Sequence, residues 1–215
     1  RGADSTVSAG AKLTKWMRCF DGVHCNWPEW NGVYAHAVAD VPNATAEVVP
    51  FRQLWIAGSR APRVVSDASS FGLQPTPTGY DAAAAVPTSW VDQKVELRWP
   101  RQVRNWIEPR CTLSNVSGAH LTVEPACWAA LTKRNNDKTP PAPLLIEGIV
   151  GPPPPGEFAS DAKYVYWRPP ADDPYAAPTD AWAPLLESIV AADGLVGHSF
   201  ENVSFSHATW RQPAT

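Results

Sequence analysis

The arrangement of apolar and polar residues predicts a chain of short β-strands separated by turns. In Lys94–Trp99 polar and apolar residues alternate strictly, which is the period of a strand with one face in a core. Similar runs, bounded by Gly or Pro, lie at Gly32–Val38, Pro50–Arg60, Lys163–Trp167 and Phe200–Trp210. Short strands at this spacing predict an all-β fold, a β-sandwich or barrel-like domain with long Pro-rich loops.

Three segments depart from the strand pattern. Pro125–Arg134 predicts a short helix, because a proline stands at its start and basic residues at its end. Asp67–Ser89 is rich in Pro, Gly and Ala and predicts a long surface loop with one helical turn at Tyr80–Ala85. Residues 139–156 form a proline-rich loop, in which Pro152, Pro153, Pro154 and Pro155 predict exposed polyproline II.

The four cysteines form two local groups, Cys19 with Cys25 and Cys111 with Cys127. Three pairings are possible in principle, and we expect the two local ones. The segment from Cys111 to Cys127 predicts a hairpin with a Ser-Gly turn, which would bring its two ends within disulfide distance. The alternative is four buried thiols in a cytosolic protein. No Cys/His spacing fits structural zinc, so we expect no metal.

Three Asn-x-Ser/Thr sequences mark candidate N-glycosylation sites at Asn43, Asn115 and Asn202. Asn43 lies in a polar loop, Asn115 at the predicted hairpin turn and Asn202 inside a predicted strand. Together with paired cysteines, these sequences favour a secreted, extracellular location.

Composition excludes several classes of protein. There are 18 Lys and Arg against 21 Asp and Glu, and they do not cluster by sign along the chain, which argues against a nucleic-acid binder. No stretch approaches 18 apolar residues, so the sequence predicts no membrane span. The chain starts at Arg1 and has one methionine, Met17, from which we expect a processed product or fragment of a longer protein.

The sequence offers little catalytic chemistry. Glu108, flanked by Trp106 and Arg110, is the one weak catalytic candidate, and a structural Glu–Arg pair is the alternative. A nucleophile elbow, a phosphate loop and a dinucleotide fingerprint are all absent from the sequence, so we expect no cofactor.

Tryptophan is unusually common, with 11 in 215 residues. Trp55, Trp99 and Trp167 lie in predicted strands, where they would pack in the core. Trp27, Trp30 and Trp90 lie in predicted loops beside prolines and are the candidates for contact with a sugar ring or a partner.

A series of spaced motifs resembles secreted right-handed parallel β-helix proteins of the glycoside hydrolase type, close to the family of α-L-fucosidase- and xylanase-like enzymes. The resemblance covers roughly residues 10–213. The motifs are Phe51–Arg63, Thr78–Tyr80, Val95–Trp99, Trp106–Cys111, Pro125–Trp128, Ile146–Glu147, Pro155–Phe158, Tyr164–Trp167, Ala183–Glu187 and Phe200–Trp210.

The resemblance implies a β-rich insertion domain at residues 1–195 and the start of a parallel β-helix coil at 196–215. The later coils, which would hold the catalytic carboxylates, are absent. The chain is therefore expected to be a non-catalytic β-domain that acts on or binds extracellular glycans only with the rest of such a protein.

The alternative is a structural or interaction glycoprotein of an extracellular assembly such as a wall, sheath or filament. There the prolines of Pro152–Pro155 would be hydroxylated and O-glycosylated. In both cases a truncated sheet exposes edges, so the expected partner is the remainder of the precursor or a neighbouring subunit, with glycans as possible ligands.

Overall fold

The computed structural model describes residues 5–19, 30–45, 49–194 and 196–209. The protein is β-rich, with 33% strand and 12% helix, and contains a curled antiparallel half-barrel sheet. The chain divides into two units. The first holds residues 1–62, 152–158 and 163–211, and the second holds 63–151, 159–162 and 212–215.

The described residues form short strands and two α-helices. The strands are β1 Ser5–Ser8, β2 Gly10–Leu13, β3 Met17–Arg18, β4 Tyr34–Ala37, β5 Leu54–Ile56, β6 Ser59–Ala61, β7 Val65–Asp67, β8 Gln74–Thr76, β9 Gly79–Asp81, β10 Glu96–Arg98, β11 Arg110–Ser117, β12 His120–Val123, β13 Leu145–Glu147, β14 Phe158–Ser160, β15 Tyr164–Trp167, β16 Ala181–Pro184 and β17 Val203–Ser206. The helices are α1 Ser89–Asp92 and α2 Pro125–Arg134, and 3-10 turns lie at Val38–Asp40 and Ala68–Phe71.

The second unit is built on a seven-stranded sheet of order β7-β13-β10-β11-β12-β9-β8, in which all the pairings are antiparallel. Its hydrophobic core collects the apolar face of β10 and β11 with the rings of Tyr80, Trp99 and Trp128. The Tyr80 hydroxyl and the Trp99 indole both donate to the carbonyl of Pro141, at 2.7 and 2.8 Å. Hydrogen bonding at these polar ends allows both rings to be fully buried.

The first unit contains smaller sheets. In one, β2, β16, β5 and β6 pair in antiparallel order, and in another β4 pairs with β3 and β15. The first and last described strands form a separate pair in which β1 and β17 run parallel, with Ser5 opposite Val203 and Val7 opposite Phe205. This two-stranded sheet is largely exposed on both faces.

Several predicted elements are confirmed. The helix Pro125–Arg134 has the predicted bounds, and Glu124 caps it by accepting a hydrogen bond from the Cys127 amide. The hairpins at Pro50–Arg60 and Cys111–Cys127 both form, and in the second the turn lies at Gly118 and Ala119. The coarse prediction of a β-rich fold is therefore correct.

The predicted loop at Asp67–Ser89 is wrong for its first part, up to Asp81, whereas residues 82–88 do form a mostly exposed loop. The residues of the first part form the 3-10 turn and the hairpin β8–β9, and Tyr80 lies in a strand rather than in a helical turn. The hairpin is stabilised by pairing of β9 with β12, a contact between distant parts of the sequence that local composition does not encode. At Gly79 a Cβ would collide with the Leu121 carbonyl oxygen, so this pairing requires glycine.

The proline-rich loop is also less exposed than expected. Pro152, Pro154 and Pro155 are exposed, but Pro153, Pro140 and Pro143 are buried. Buried prolines at these positions, with the Pro141 carbonyl accepting two hydrogen bonds, make part of residues 139–156 a component of the core.

Candidate functional site

The sequence candidate Glu108 belongs to a group of three glutamates and three arginines in the second unit. Strict alternation places Glu96 and Arg98 on one face of β10, opposite the apolar face that packs in the core. Glu147 lies directly across from Glu96 on β13, and Arg110 lies across from Arg98 on β11. We call this group the Arg–Glu cluster: Arg63, Glu96, Arg98, Glu108, Arg110 and Glu147.

Glu147 is at the centre of the cluster. One of its carboxylate oxygens, Oε2, accepts from Arg98 at 2.6 Å and from Arg110 at 3.0 Å. Its other oxygen, Oε1, lies 3.7 Å from Arg63, whose guanidinium also donates to Glu96 at 3.4 Å. Glu96 and Glu147 are 2% and 5% exposed, and burial of this kind requires that their charges be paired.

Glu108 lies at the rim of the cluster and is held by two arginines. Its Oε1 accepts from Arg98 Nε and Arg110 Nη2, both at 2.9 Å, and also contacts Arg98 Nη2. Partial burial raises the pKa of Glu108, but the hydrogen bonds and charges of Arg98 and Arg110 together outweigh it and hold that pKa below its usual value. Glu108 therefore stays ionised at neutral pH.

This arrangement favours the structural alternative over catalysis. A glycosidase needs a carboxylic acid with a raised pKa close to a second carboxylate. Glu108 has a lowered pKa, and the two neighbouring carboxylates are buried against guanidinium groups. The backbone of Gly148 packs so closely on the Arg63 guanidinium that a Cβ there would collide with it, which shows how tightly the cluster is packed.

Two grooves of the first unit have no acidic lining. The larger, of about 470 Å³, is lined mainly by Pro, Ala and Trp167, and its one cation is Arg60. The smaller, of about 210 Å³, is lined by prolines and Arg168. Without a carboxyl group on either wall, neither groove has the acid–base pair that glycoside hydrolysis requires.

The loop tryptophans differ in their accessibility. Trp30 is half-buried and its ring packs against Tyr166 at 4.6 Å between centroids. Trp90 is 3% exposed and packs in the core, with Phe71 against its ring. A ring buried in this way has no face for a sugar, so the interpretation of Trp90 as a binding residue is corrected. Trp27 lies outside the described residues.

Of the tryptophans predicted to be in the core, Trp99 and Trp167 are buried, at 0% and 4% exposure. Trp55 is only half-buried, with its ring edge-on to His207 at 5.6 Å.

Cys111 and Cys127 form the predicted disulfide, with their Cα atoms 5.7 Å apart. Cys127 lies in the first turn of α2 rather than at the end of the second strand, so the disulfide fastens this helix to the start of β11. Cys19 is also disulfide-bonded, and Cys25, its predicted partner, lies outside the described residues.

The three candidate glycosylation sites are all exposed. Asn43 lies in a loop with a positive φ of 60°, and Asn202 lies just before β17. Asn115 is within β11, next to an irregularity in its pairing with β12, and not at the turn.

The sequence did not identify Trp106 as a candidate binding residue. Its side chain is 81% exposed, but the sequence around it does not indicate which side chains are buried. It lies between β10 and β11 in a loop with several cations, including Arg101 and Arg104.

Comparisons with protein-family models, with curated proteins and with solved structures found no match to this chain. Within the described part of the chain, no group of His, Cys, Asp and Glu is arranged to hold a metal ion. The helices of that part are also too short or too polar to cross a membrane.

Proposed function

We propose that this chain is the non-catalytic β-rich portion of a secreted protein similar to the β-helix glycoside hydrolases, and that it borders a site for extracellular glycans. The observation that carries the proposal is the parallel pairing of β1 with β17. In a parallel β-helix, strands of successive coils pair in parallel, and here the β-rich domain would be inserted between two such strands. A parallel pair open on both faces is incomplete by itself.

The exposed apolar side chains of this pair support the same proposal. Val7 and Phe205 lie opposite each other and are 44% and 42% exposed, and Phe200 packs edge-on against Phe205 at 5.3 Å. A further coil stacked on the pair would cover these groups and would use a backbone edge with which no other described strand pairs. In this proposal the remainder of the precursor is the partner.

The Arg–Glu cluster does not supply a catalytic pair in this proposal, because its carboxylates are ion-paired with arginines. The catalytic pair of the complete protein would lie in coils outside this chain. The disulfide and the exposed sequences at Asn43 and Asn115 are compatible with secretion.

A structural role in an extracellular assembly is the second candidate. It is favoured by the exposure of Pro152, Pro154 and Pro155, which leaves three prolines accessible to hydroxylation and O-glycosylation. In this case a neighbouring subunit would cover β1 and β17.

Expression of the full chain through a secretory pathway tests both candidates. We expect glycans on Asn43 and Asn115 in a peptide map, and no release of sugar from xylan or fucosylated substrates by either the wild type or Glu108→Gln. Hydroxylated, glycosylated prolines would favour the structural role. Hydrolysis by the wild type that is lost in Glu108→Gln would overturn the non-catalytic proposal.

A further inference from the structure

We propose that Trp106 and the basic residues around it form a binding site for an acidic polysaccharide, one that carries uronate or sulfate groups. This inference deepens the proposed function and rests on it, since it names the class of extracellular glycan. The site consists of the loop 100–107 and the turn 133–138 that follows α2, both in the second unit.

The loop that carries Trp106 is closed by backbone hydrogen bonds. The Ile107 amide donates to the Arg104 carbonyl at 3.3 Å, so Asn105 and Trp106 occupy the corner of a turn. Below it the Arg101 amide donates to the Ile107 carbonyl, also at 3.3 Å. Because the turn is already formed, little conformational freedom of the chain is lost when a ligand stacks on this ring, which is 81% exposed.

Side chains fasten this loop to neighbouring segments. Gln102 Nε2 donates to the Ala142 carbonyl at 3.0 Å, and Arg104 Nη2 donates to Asn136 Oδ1 at 2.9 Å. The second contact brings the turn after α2 beside the loop. That turn is itself closed by Asn135, whose side chain donates to the carbonyls of Lys138 and Thr139.

The two segments together are strongly basic. They carry five cations against one carboxylate, Asp137, in a protein whose formal net charge is −3. The cations are Arg101, Arg104, Lys133, Arg134 and Lys138. They are dispersed along the sequence, and folding brings their two segments together through the Arg104–Asn136 contact.

An exposed indole in the same loop as two arginines matches the chemistry of an acidic sugar chain. The flat ring offers an apolar face to the C–H face of a sugar, and Arg binds carboxylate or sulfate with two parallel hydrogen bonds. A single aromatic ring and five cations give little apolar area for insertion into a membrane. They also lack the series of stacking rings typical of single-stranded nucleic-acid binders.

Binding of a hexamer of galacturonic acid by the full, disulfide-bonded chain tests the site. We expect Trp106→Ala to weaken binding at least tenfold, and Arg101→Gln with Lys133→Gln to weaken it by a similar factor. Neutral xylohexaose should bind more weakly than the acidic hexamer. Binding should also weaken between low salt and about 0.5 M salt, because the charges are exposed.

Two variants serve as matched controls. Tyr175→Ala removes another aromatic ring that is 73% exposed, and Arg60→Gln removes an exposed cation in the first unit. We expect both to bind the hexamer like the wild type. Far-UV circular dichroism and urea unfolding of each variant separate loss of binding from loss of folding.

Three results would overturn the site. The first is wild-type affinity for the hexamer in Trp106→Ala, and the second is competition by polyglutamate that is as strong as competition by unlabelled hexamer. The third is Trp106-dependent binding to phosphatidylserine vesicles or single-stranded DNA that is tighter than binding to the hexamer. Any of these leaves the proposed function intact if Asn43 and Asn115 are glycosylated and no sugar is released. Conversely, hydrolysis that depends on Glu108 would overturn the proposed function whatever Trp106 does.

Discussion

At the scale of single residues, the main conclusion concerns charge. Alternation in Lys94–Trp99 predicted a strand with a polar face, and it forms, but that face holds buried ion pairs instead of meeting water. Glu147 is far from Glu96 and Arg98 in the sequence, and only the pairing of β10 with β13 brings the three residues together. The sequence therefore predicts the strand but not the Arg–Glu cluster.

Glu147→Gln should destabilise the protein strongly. The substitution leaves Arg63, Arg98 and Arg110 with one fewer buried counter-charge, and breaking a buried ion pair in this way costs about 3–5 kcal/mol. Urea unfolding measures the change in the free energy of unfolding.

Glu108→Gln is the matched control, because its side chain contacts two of the same arginines but is 39% exposed. We expect a loss of at most about 1 kcal/mol. Equal losses in the two variants would mean that the burial of Glu147 does not determine its contribution to the free energy of unfolding.

A second prediction at this scale concerns pH. His36 is 1% exposed, and burial lowers its pKa, although the Ala37 carbonyl and Asp40 act in the opposite direction. The unfolded chain then binds a proton more readily than the folded one. Stability is complete above the unfolded pKa of about 6.5 and decreases as the pH falls from there towards the folded pKa.

Urea unfolding between about pH 7.5 and 5.5 tests this dependence. His36→Gln should reduce the slope of stability against pH, whereas His198→Gln, at an exposed position, should leave it unchanged. His207, whose pKa is also lowered by burial, contributes in the same direction, so some slope should remain in His36→Gln. An unchanged slope in His36→Gln would contradict the account of its burial.

At the scale of secondary structure, the sequence predicted the elements that are stabilised by residues close together in the chain. The helix Pro125–Arg134 follows from its proline and its basic end, and the turn after β5 follows from Gly58, which takes a positive φ of 75° without steric cost. The strands β8 and β9 were missed because their stability comes from β12, about 40 residues away. Trp90 was misjudged for the same reason, since its neighbouring prolines gave no sign that α1 packs on the core.

The disulfide gives a prediction at this scale. Cys111 and Cys127 are 16 residues apart, and closing a loop of this length stabilises a protein by about 3 kcal/mol in the chain-entropy model. The double variant Cys111→Ser, Cys127→Ser should lose roughly this amount in urea unfolding, mainly through the unfolded chain.

A control for the disulfide is partial reduction of the wild type under native conditions. The fraction in which peptide mapping shows that only Cys111–Cys127 is reduced should reproduce the loss. Unchanged stability in the double variant would show that α2 is fixed to β11 by packing of Trp128 and Leu131 alone.

At the scale of the whole molecule, the first and last described strands pair with each other. The Ser5 amide donates to the Asn202 carbonyl at 3.1 Å and the Ala9 amide to the Ser206 carbonyl at 3.0 Å, at the two ends of the parallel pair. The sequence predicted a strand at Phe200–Trp210 but did not indicate its partner. The proposal that further parallel strands follow depends on this pairing.

Cross-linking of β1 to β17 tests that pairing directly. Val7 and Phe205 lie opposite each other in the parallel register, so Val7→Cys with Phe205→Cys should form a disulfide under mild oxidation. Ser5→Cys with Ser206→Cys should not, because Ser206 lies three residues beyond the partner of Ser5, about 10 Å along the strand. Peptide mapping of the unreduced protein identifies the bonds. A cross-link in the second pair and none in the first would show an antiparallel pairing and contradict the β-helix proposal.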